Sequence, residues 1–576
     1  MTLDPGFSTW ADPSRLSAVR ALPKARDLIE LVRAPSETRP EEIAVAFSET
    51  GEDATPLTRA GLWTAALREA RRLLEAGAVP GDRVIVMQPT SAAFLQGFFG
   101  ALAAGAIPVP VSPPQSLRRR YVEAHDELVR TLAADCDASA CIAEGSVLNL
   151  LADGLRKARP DIRLISGAPA CEPLDERDVP PCDEHATAML QYTSGSTSRP
   201  KGVMLSHRNL IANTDAIGHV LFHPEALKLS WLPLHHDMGL IGSLLTSLYW
   251  RVPLVLLPPS AFVRSPASWL RGLSRWGATL TSAPNFAYSL CVRRIELEDM
   301  ESVRLDHLRA ALSGAEPVDP AAVERFEEKF APLGLRMGVV RPSYGLAESS
   351  LAVCVSEPHT RVVANVSADA LENEGLVRPP AGTERETTLI SVGRSLPGVE
   401  LRIIDRDGQP VPERRVGEIV VRGPSVMAGY FRRPDETAEA LRDGWLHTGD
   451  LGYLDGGLLW VSGRRKDLII RSGRNFHPHD LERLVLRVPD VFPLGAAAFG
   501  CDVSGSESAV IVVETALRDP ESRTALIRAV RKCVHDVFLF SPDEIRLVPP
   551  GWIPRTTSGK VRRHECRRLY LAEPVA

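Results

Sequence analysis

A chain of 576 residues exceeds what one hydrophobic core organises, and its length corresponds to roughly three to four domain equivalents. Its 44% hydrophobic and 24% charged content is that of an ordinary soluble globular protein, and a formal charge of -5 excludes the basic excess of a nucleic-acid binder. Nine cysteines, odd in number and without a Cys-x-x-Cys pair, read as small apolar residues in a reducing compartment, not as a disulfide framework or zinc site.

Residues Met1 to Ser14 carry acids and prolines but no basic start followed by an apolar run, so no signal peptide is expected. Val84-Ile85-Val86-Met87 follows a Pro80-Gly81-Asp82 turn and reads as a buried strand. A helical stretch from Ser91 to Ala104 and a second strand, Ile107 to Val111, complete a βαβ unit. The alternation recurs at Ala188 to Tyr192, before a glycine loop, and at Leu254 to Leu257, before a loop and helix. The longest apolar stretches, Gly97 to Val111 and Val252 to Val263, are short or broken by proline, so no membrane span is expected and a cytoplasmic location follows.

Asp405-Arg406-Asp407-Gly408 and Asp455-Gly456-Gly457 are hairpin signals inside a β-rich run, which predicts a small all-β piece from about Val399 to Val461. After Gly463 a new α/β pattern starts. The expected fold is therefore α/β: a large N-terminal domain, 1–463, of mostly parallel αβα sheets plus the β piece, and a small mobile α/β C-terminal domain, 464–576.

The chemistry-bearing residues lie in separate segments. Tyr192 to Gly202 holds Thr193, Ser194, Gly195, Ser196, Thr197 and Lys201, a set whose backbone N–H groups, hydroxyls and one cation suit phosphate oxygens. It is not a Walker A loop, because Gly-x-x-x-x-Gly-Lys-Ser/Thr is absent. Far downstream, Pro554 to Lys560 ends in a lone lysine on a Gly-Ser turn. Together the two ends suggest a phosphate site closed by a mobile domain, as in carboxylate activation by ATP. Between them lie Ser313-Gly314-Ala315-Glu316-Pro317, Pro342-Ser343-Tyr344-Gly345-Leu346-Ala347-Glu348, Trp445-Leu446-His447-Thr448-Gly449-Asp450 and Arg464, segments that in isolation read as turns and surface charges. His235-His236-Asp237 reads as strand, where neighbouring side chains face opposite ways, so joint metal ligation is not expected.

In this order the motifs resemble the adenylate-forming superfamily of acyl-CoA ligases, peptide-synthetase adenylation domains and beetle luciferases, over nearly the whole chain. Ser198 stands where a glycine is common. The resemblance implies that Tyr344 and Gly345 lie against adenine, with Gly314 and Ala315 lining its pocket. It implies that Glu348 binds Mg2+, Asp450 the ribose hydroxyls, and Arg464 ribose or phosphate. Lys466 would be the hinge, and Lys560 would bridge carboxylate and α-phosphate. His236 would lie beside the substrate carboxylate, and Met238, Phe286 and Tyr288 would wall the acyl tunnel.

His236-Asp237-Met238-Gly239, Ser282 to Tyr288 and an insertion at about 356–389 look like the fatty acyl-AMP ligase branch. By that analogy the insertion packs between the domains and hinders CoA thioester formation. The implied reaction is activation of a medium- or long-chain fatty acid by ATP with Mg2+, releasing pyrophosphate. Transfer to the phosphopantetheine thiol of an acyl carrier protein, or of a polyketide or peptide synthase carrier domain in trans, would follow. The basic tail from Arg562 to Arg568 could dock that acidic carrier. The alternatives are a fatty acyl-CoA ligase, amino-acid adenylation through Asp237, and a non-catalytic acyl-nucleotide binder.

Overall fold

The expected βαβ unit forms as strand Arg83–Met87, helix Ala92–Ala103 and strand Ile107–Pro110, with Ile85 paired in parallel to Val109. The helix stops at Gly105 because this residue, at φ 75°, takes the left-handed turn of a Schellman motif. Its N–H donates to the Leu102 carbonyl, and the Ala106 N–H to that of Ala101. The computed structural model describes residues 25–114, 119–193, 200–223, 225–471, 474–492, 494–503, 506–538, 540–555 and 561–572.

Strands Ile107–Pro110, Arg83–Met87, Ala138–Ala143 and Arg163–Ile165 form, in that order, a four-stranded all-parallel sheet. A larger sheet is mixed. Ile43–Phe47, Leu254–Leu256, Lys228–Ser230, Leu280–Pro284, Ala310–Gly314 and Val340–Gly345 run parallel in that order. From Ala352–Val355 onward, through Glu386–Ser395, Leu458–Arg464, Trp445–Asp455, Gly417–Arg422 and Glu400–Ile404, every pairing is antiparallel.

One strand was not anticipated, and one sequence expectation needs correction. The glycine loop leads into a second strand. It joins Thr187–Thr193 to Lys201–Ser206 in an antiparallel hairpin, with Thr193 opposite Lys201. Val203 and Leu205, both fully buried, alternate with half-buried Met204, which is a strand period. Helix His207–Leu221 starts only afterwards, at a Ser206–Asn209 capping box. The β piece is not all-β, because helix Pro434–Ala440 interrupts it. Its Asp455-Gly456-Gly457 signal is a two-residue hairpin turn, with both glycines at positive φ and Asp455 opposite Leu458. Asp405-Arg406-Asp407-Gly408 also turns a tight hairpin, with Ile404 opposite Pro410 and the Asp405 carboxylate taking the Asp407 and Gln409 N–H groups.

The last part of the chain has its own three-stranded sheet, Ala496–Val503, Ser506–Glu514 and Glu544–Val548, flanked by helices Pro478–Val485, Pro520–Phe538 and Arg563–Ala572. Ile469, Phe476, Leu481, Ile511, Val513 and Val530 build a hydrophobic cluster that takes no residue from before 469. Among the described residues, no helix is long and apolar enough to cross a membrane.

Candidate active site

A cavity of about 1720 Å³ opens beyond the carboxyl ends of the parallel strands and reaches the C-terminal unit. Thr193, Lys201, His236, Met238, Phe286, Gly314, Ala315, Tyr344, Gly345, Glu348, Asp450, Arg464 and Lys466 all line it. Ser194, Gly195, Ser196, Thr197 and Lys560 lie outside the described residues.

Gly314 ends its strand, where a Cβ would sit 2.7 Å from Ser343 Oγ, so only glycine lets the two segments approach. Ala315 follows at φ 67°, a left-handed conformation strained for a residue with a Cβ. Glu316 Oε1 accepts the Phe286 N–H at 2.5 Å and ties this loop to the first turn of helix Asn285–Arg294.

Three expected residues from distant segments meet directly. Tyr344 donates its hydroxyl to Asp450 Oδ2 at 2.7 Å, and Arg464 Nε donates to Asp450 Oδ1 at 2.8 Å. Asp450 and Arg464 face each other across an antiparallel pair, and Asp450 is 4% exposed. Burial, reinforced by the Asp450 charge, pushes the Tyr344 phenol far above its usual range, so it stays a donor. The Asp450 carboxylate holds the Arg464 guanidinium protonated.

A second constellation surrounds Glu348. Its Oε1 accepts the Tyr430 hydroxyl at 2.9 Å, and its carbonyl accepts the Met427 N–H. Lys201 Nζ lies 4.8 Å from the centre of the Tyr430 ring and 2.8 Å from Glu436 Oε2. Tyr430 reaches this place because Gly429–Tyr430 adds a third strand beside Lys201–Ser206. Tyr430 and Glu436 were not anticipated. A lone Gly-Tyr before a helix carries no signal that it will anneal to a strand more than two hundred residues earlier.

The histidine pair is not on a strand. Strand Lys228–Ser230 has ended, and the chain turns through Pro233 into a short helix, Asp237–Gly239, that His236 caps. His236 Nδ1 lies 2.6 Å from Asp237 Oδ1, and the Asp237 carboxylate also takes the Met238 N–H. His235 is half-buried, its Nε2 buried without a partner, and desolvation pushes its imidazole down to about 3.

Tyr288 is the expectation the structure contradicts. It is fully buried among Trp269 and Phe326, its hydroxyl bound to the Leu312 carbonyl at 2.7 Å, and it does not line the cavity. The reason is helical period. Phe286, Ser289 and Arg293, at i, i+3 and i+7, share the cavity face, whereas i+2 points away. Ile217, Gly242, Leu312, Leu346 and Leu351 supply apolar lining that sequence reading missed.

Among the described residues, one group of metal-ligating types converges, Asp27, Cys182 and His207. His207 Nδ1 accepts the Leu28 N–H, and burial keeps the ring neutral, which leaves the ring proton on Nε2 and no lone pair for an ion. In the basic tail, Arg563 is committed to Glu482 at 2.5 Å, and Arg568 to Glu565 at 2.6 Å.

The insertion is a hairpin of Val363–Ser367 with Glu386–Ser395, Val363 opposite Ile390. Arg361 pairs at 2.8 Å with fully buried Glu327, which joins it to the core. Arg385 binds Asp369 at 2.9 Å and also Glu372, and its guanidinium lies 5.4 Å from the Phe538 ring centre. The insertion therefore touches the C-terminal unit.

The family described as AMP-binding enzyme matches residues 32–431. The chain belongs to that family. Curated relatives carry both fatty-acid–CoA ligase and fatty-acid–AMP ligase names. The long-chain-fatty-acid–AMP ligase FadD26 of Mycobacterium marinum is 34% identical, over 95% of this chain and 98% of that protein. The medium-chain-fatty-acid–[acyl-carrier-protein] ligase JamA of Moorena producens is 33% identical, over 85% and 86%. A solved chain from a study of fatty acyl-adenylate ligases of E. coli and L. pneumophila superposes with TM-score 0.87 at 34% identity, covering 95% of this chain and 99% of that one.

Proposed function

We propose that this enzyme joins a medium- or long-chain fatty acid to AMP and then hands the acyl group to a carrier-protein phosphopantetheine thiol. The observation that carries the reading is one cavity lined both by the bonded Tyr344–Asp450–Arg464 trio and by apolar Met238, Leu312 and Leu351. A nucleoside needs a flat face and a fixed carboxylate, and an alkyl chain needs an apolar wall.

In the first step a carboxylate oxygen of the acid attacks the α-phosphorus of ATP. The bond from that phosphorus to the bridging oxygen breaks, and its electron pair leaves with pyrophosphate. Tyr344 and Gly345 hold adenine with the Gly314–Ala315 loop, Asp450 accepts the ribose hydroxyls, and Arg464 keeps Asp450 oriented. Thr193, Ser194, Gly195, Ser196, Thr197 and Lys201 receive the phosphates, with Glu436 serving as the Lys201 counter-ion until they arrive. Lys560 offsets charge between carboxylate and α-phosphate, and His236 lies beside the carboxylate. In-line positioning and this electrostatic masking supply most of the rate.

Glu348 fits a hard cation, since a carboxylate steadied by Tyr430, whose ring lies 4.8 Å from Lys201 Nζ, is the donor Mg2+ prefers. When bound, the ion neutralises phosphate charge. In the second step the small unit turns about Lys466, and the carrier thiol attacks the acyl carbonyl, expelling AMP. The working setting is the cytoplasm.

Coenzyme A as acceptor is the second reading, favoured by the CoA-ligase names among the relatives. An amino-acid substrate is disfavoured because Asp237 is already engaged by His236 and the Met238 N–H. Pyrophosphate release across a fatty-acid panel, with CoA or with a phosphopantetheinylated carrier, tests the proposal. Release with no acid in the panel refutes it, and thioester formed only on CoA selects the second reading. Lys560→Ala should lower adenylation about 100-fold or more. Activity within a few-fold of wild type would remove Lys560 from the mechanism and favour a binder without catalysis.

A further inference from the structure

Lys228 stands on a central strand of the large sheet and is 2% exposed, where a side-chain amine needs a hydrogen-bond partner. Its Nζ donates to the Gly242 carbonyl at 2.6 Å. Charged or neutral, a lysine amine keeps an N–H for that bond.

Gly242 belongs to Leu240–Leu245, a π-helical segment, and π turns inside helices recur at functional sites. Thr246 steadies the same turn, its Oγ1 donating to the Ile241 carbonyl at 2.6 Å. Gly242 lines the cavity together with Ile217, Met238, Leu312, Leu346 and Leu351. A Cβ placed on it would lie 2.7 Å from Leu351 Cδ2, so any side chain here would enter the cavity or push Leu351. Glycine is a poor helix former, so local propensity argues for a side chain here and the close approach of Leu351 argues against one.

We propose that Gly242 sets how deep an acyl chain reaches along this apolar lining, and that Lys228, by gripping the Gly242 carbonyl, is the positioning residue that keeps this wall in place. The proposal rests on the fatty-acid reading of the site. Lys228 does not line the cavity and touches no substrate. Its effect passes through the backbone it holds.

The test measures kcat/KM by pyrophosphate release for saturated acids from six to eighteen carbons. It uses the full chain as wild type, Gly242→Ala, Gly242→Val, Gly242→Leu and Lys228→Met. Circular dichroism and thermal unfolding confirm that each variant folds, and the alanine variant adds a better helix former. One methylene in an apolar pocket is worth about 10- to 200-fold in discrimination. The ratio of long-acid to short-acid kcat/KM should therefore fall at least tenfold from Gly242 to Val and further to Leu, with the preferred length moving down. Lys228→Met should change the same ratio.

A folded Gly242→Leu enzyme with the wild-type length profile, or with equal loss at every length, overturns the assignment of Gly242. An unchanged profile in folded Lys228→Met overturns the role of Lys228 alone. A wild type that releases pyrophosphate with none of these acids, yet does so with another carboxylate, refutes the fatty-acid reading itself.

Discussion

Replacing Asp450 by asparagine removes one charge at the point where three segments meet and changes almost no volume. Both carboxylate oxygens face donors, Oδ2 the Tyr344 hydroxyl at 2.7 Å and Oδ1 the Arg464 Nε at 2.8 Å. An amide offers one oxygen and one NH2. Turning NH2 toward Arg464 would oppose two donors, so the oxygen must face Arg464 and the NH2 must face Tyr344, whose proton then points elsewhere. Hydrogen bonds to charged groups contribute about 1.5–3 kcal/mol each, and neutral ones about 1. The Arg464 side chain is 42% exposed, so water compensates much of its loss, and stability should fall by about 1–2 kcal/mol. ATP loses more, because two ribose hydroxyls would meet a neutral acceptor with one oxygen already used. A loss of about 2–3 kcal/mol corresponds to roughly 30- to 150-fold in kcat/KM for ATP. Pyrophosphate release at varied ATP, together with urea unfolding, measures both. A kcat/KM within threefold of wild type, in a folded protein, would remove Asp450 from nucleotide binding.

Tyr430→Phe takes one donor from Glu348 Oε1, a bond worth about 1 kcal/mol, so half-maximal activity should require about fivefold more Mg2+. A superimposable Mg2+ titration would deny Tyr430 that role. Arg385→Ala frees the insertion hairpin from Phe538 and should raise CoA thioester formation, read by chromatography of acyl-CoA. No rise means that this contact does not exclude CoA. His235 titrates well below its ordinary 6.5, near 3, so the unfolded chain binds the extra proton first. Stability is therefore intact above about pH 6.5 and falls as pH drops toward 3. The full penalty at pH 5 would be about 2 kcal/mol, and about 1 after allowing for the half-buried ring. Urea unfolding of His235→Asn at pH 7 and 5 should show a smaller pH dependence than wild type by that amount, and an equal dependence would refute it.

What the sequence made legible was local. Tyr344, Glu348, Asp450 and Arg464 could be picked out because the short segments around them resemble family motifs in family order, whereas each alone reads as a turn or a surface charge. That Tyr344 bonds Asp450, 106 positions away, could not, since no local pattern encodes a long-range contact. Tyr288 failed for the opposite reason. Its segment resembles the family as a string, but the period of helix Asn285–Arg294 puts Phe286 on the cavity face and Tyr288 away from it. The hairpin around the glycine loop was also within reach, because Val203 and Leu205 alternate as strand residues do. The apolar lining was not, since Ile217, Gly242, Leu312 and Leu351 come from different elements and each reads as ordinary core.

The change from parallel to antiparallel pairing explains why these groups converge. Strand Val340–Gly345 pairs in parallel with Ala310–Gly314 along its first half, Ser313 opposite Pro342, and antiparallel with Ala352–Val355 along its second. Ligands in open α/β sheets bind beyond the carboxyl ends of strands, where the topology changes. Here the chain must reverse between Gly345 and Leu351. A Cβ on Gly345 would lie 1.8 Å from the Leu351 carbonyl oxygen, and Ser350 takes φ 63° to close the turn. The Leu346 N–H then bonds the Leu351 carbonyl, leaving Glu348 at the tip of the turn, against the cavity. Each antiparallel pairing after the turn carries the sheet onward until Asp450 and Arg464 stand opposite each other within reach of Tyr344. The tight turn that strains Ser350 thus brings together the ring, the carboxylates and the guanidinium. A side chain at Gly345 would displace all of them at once.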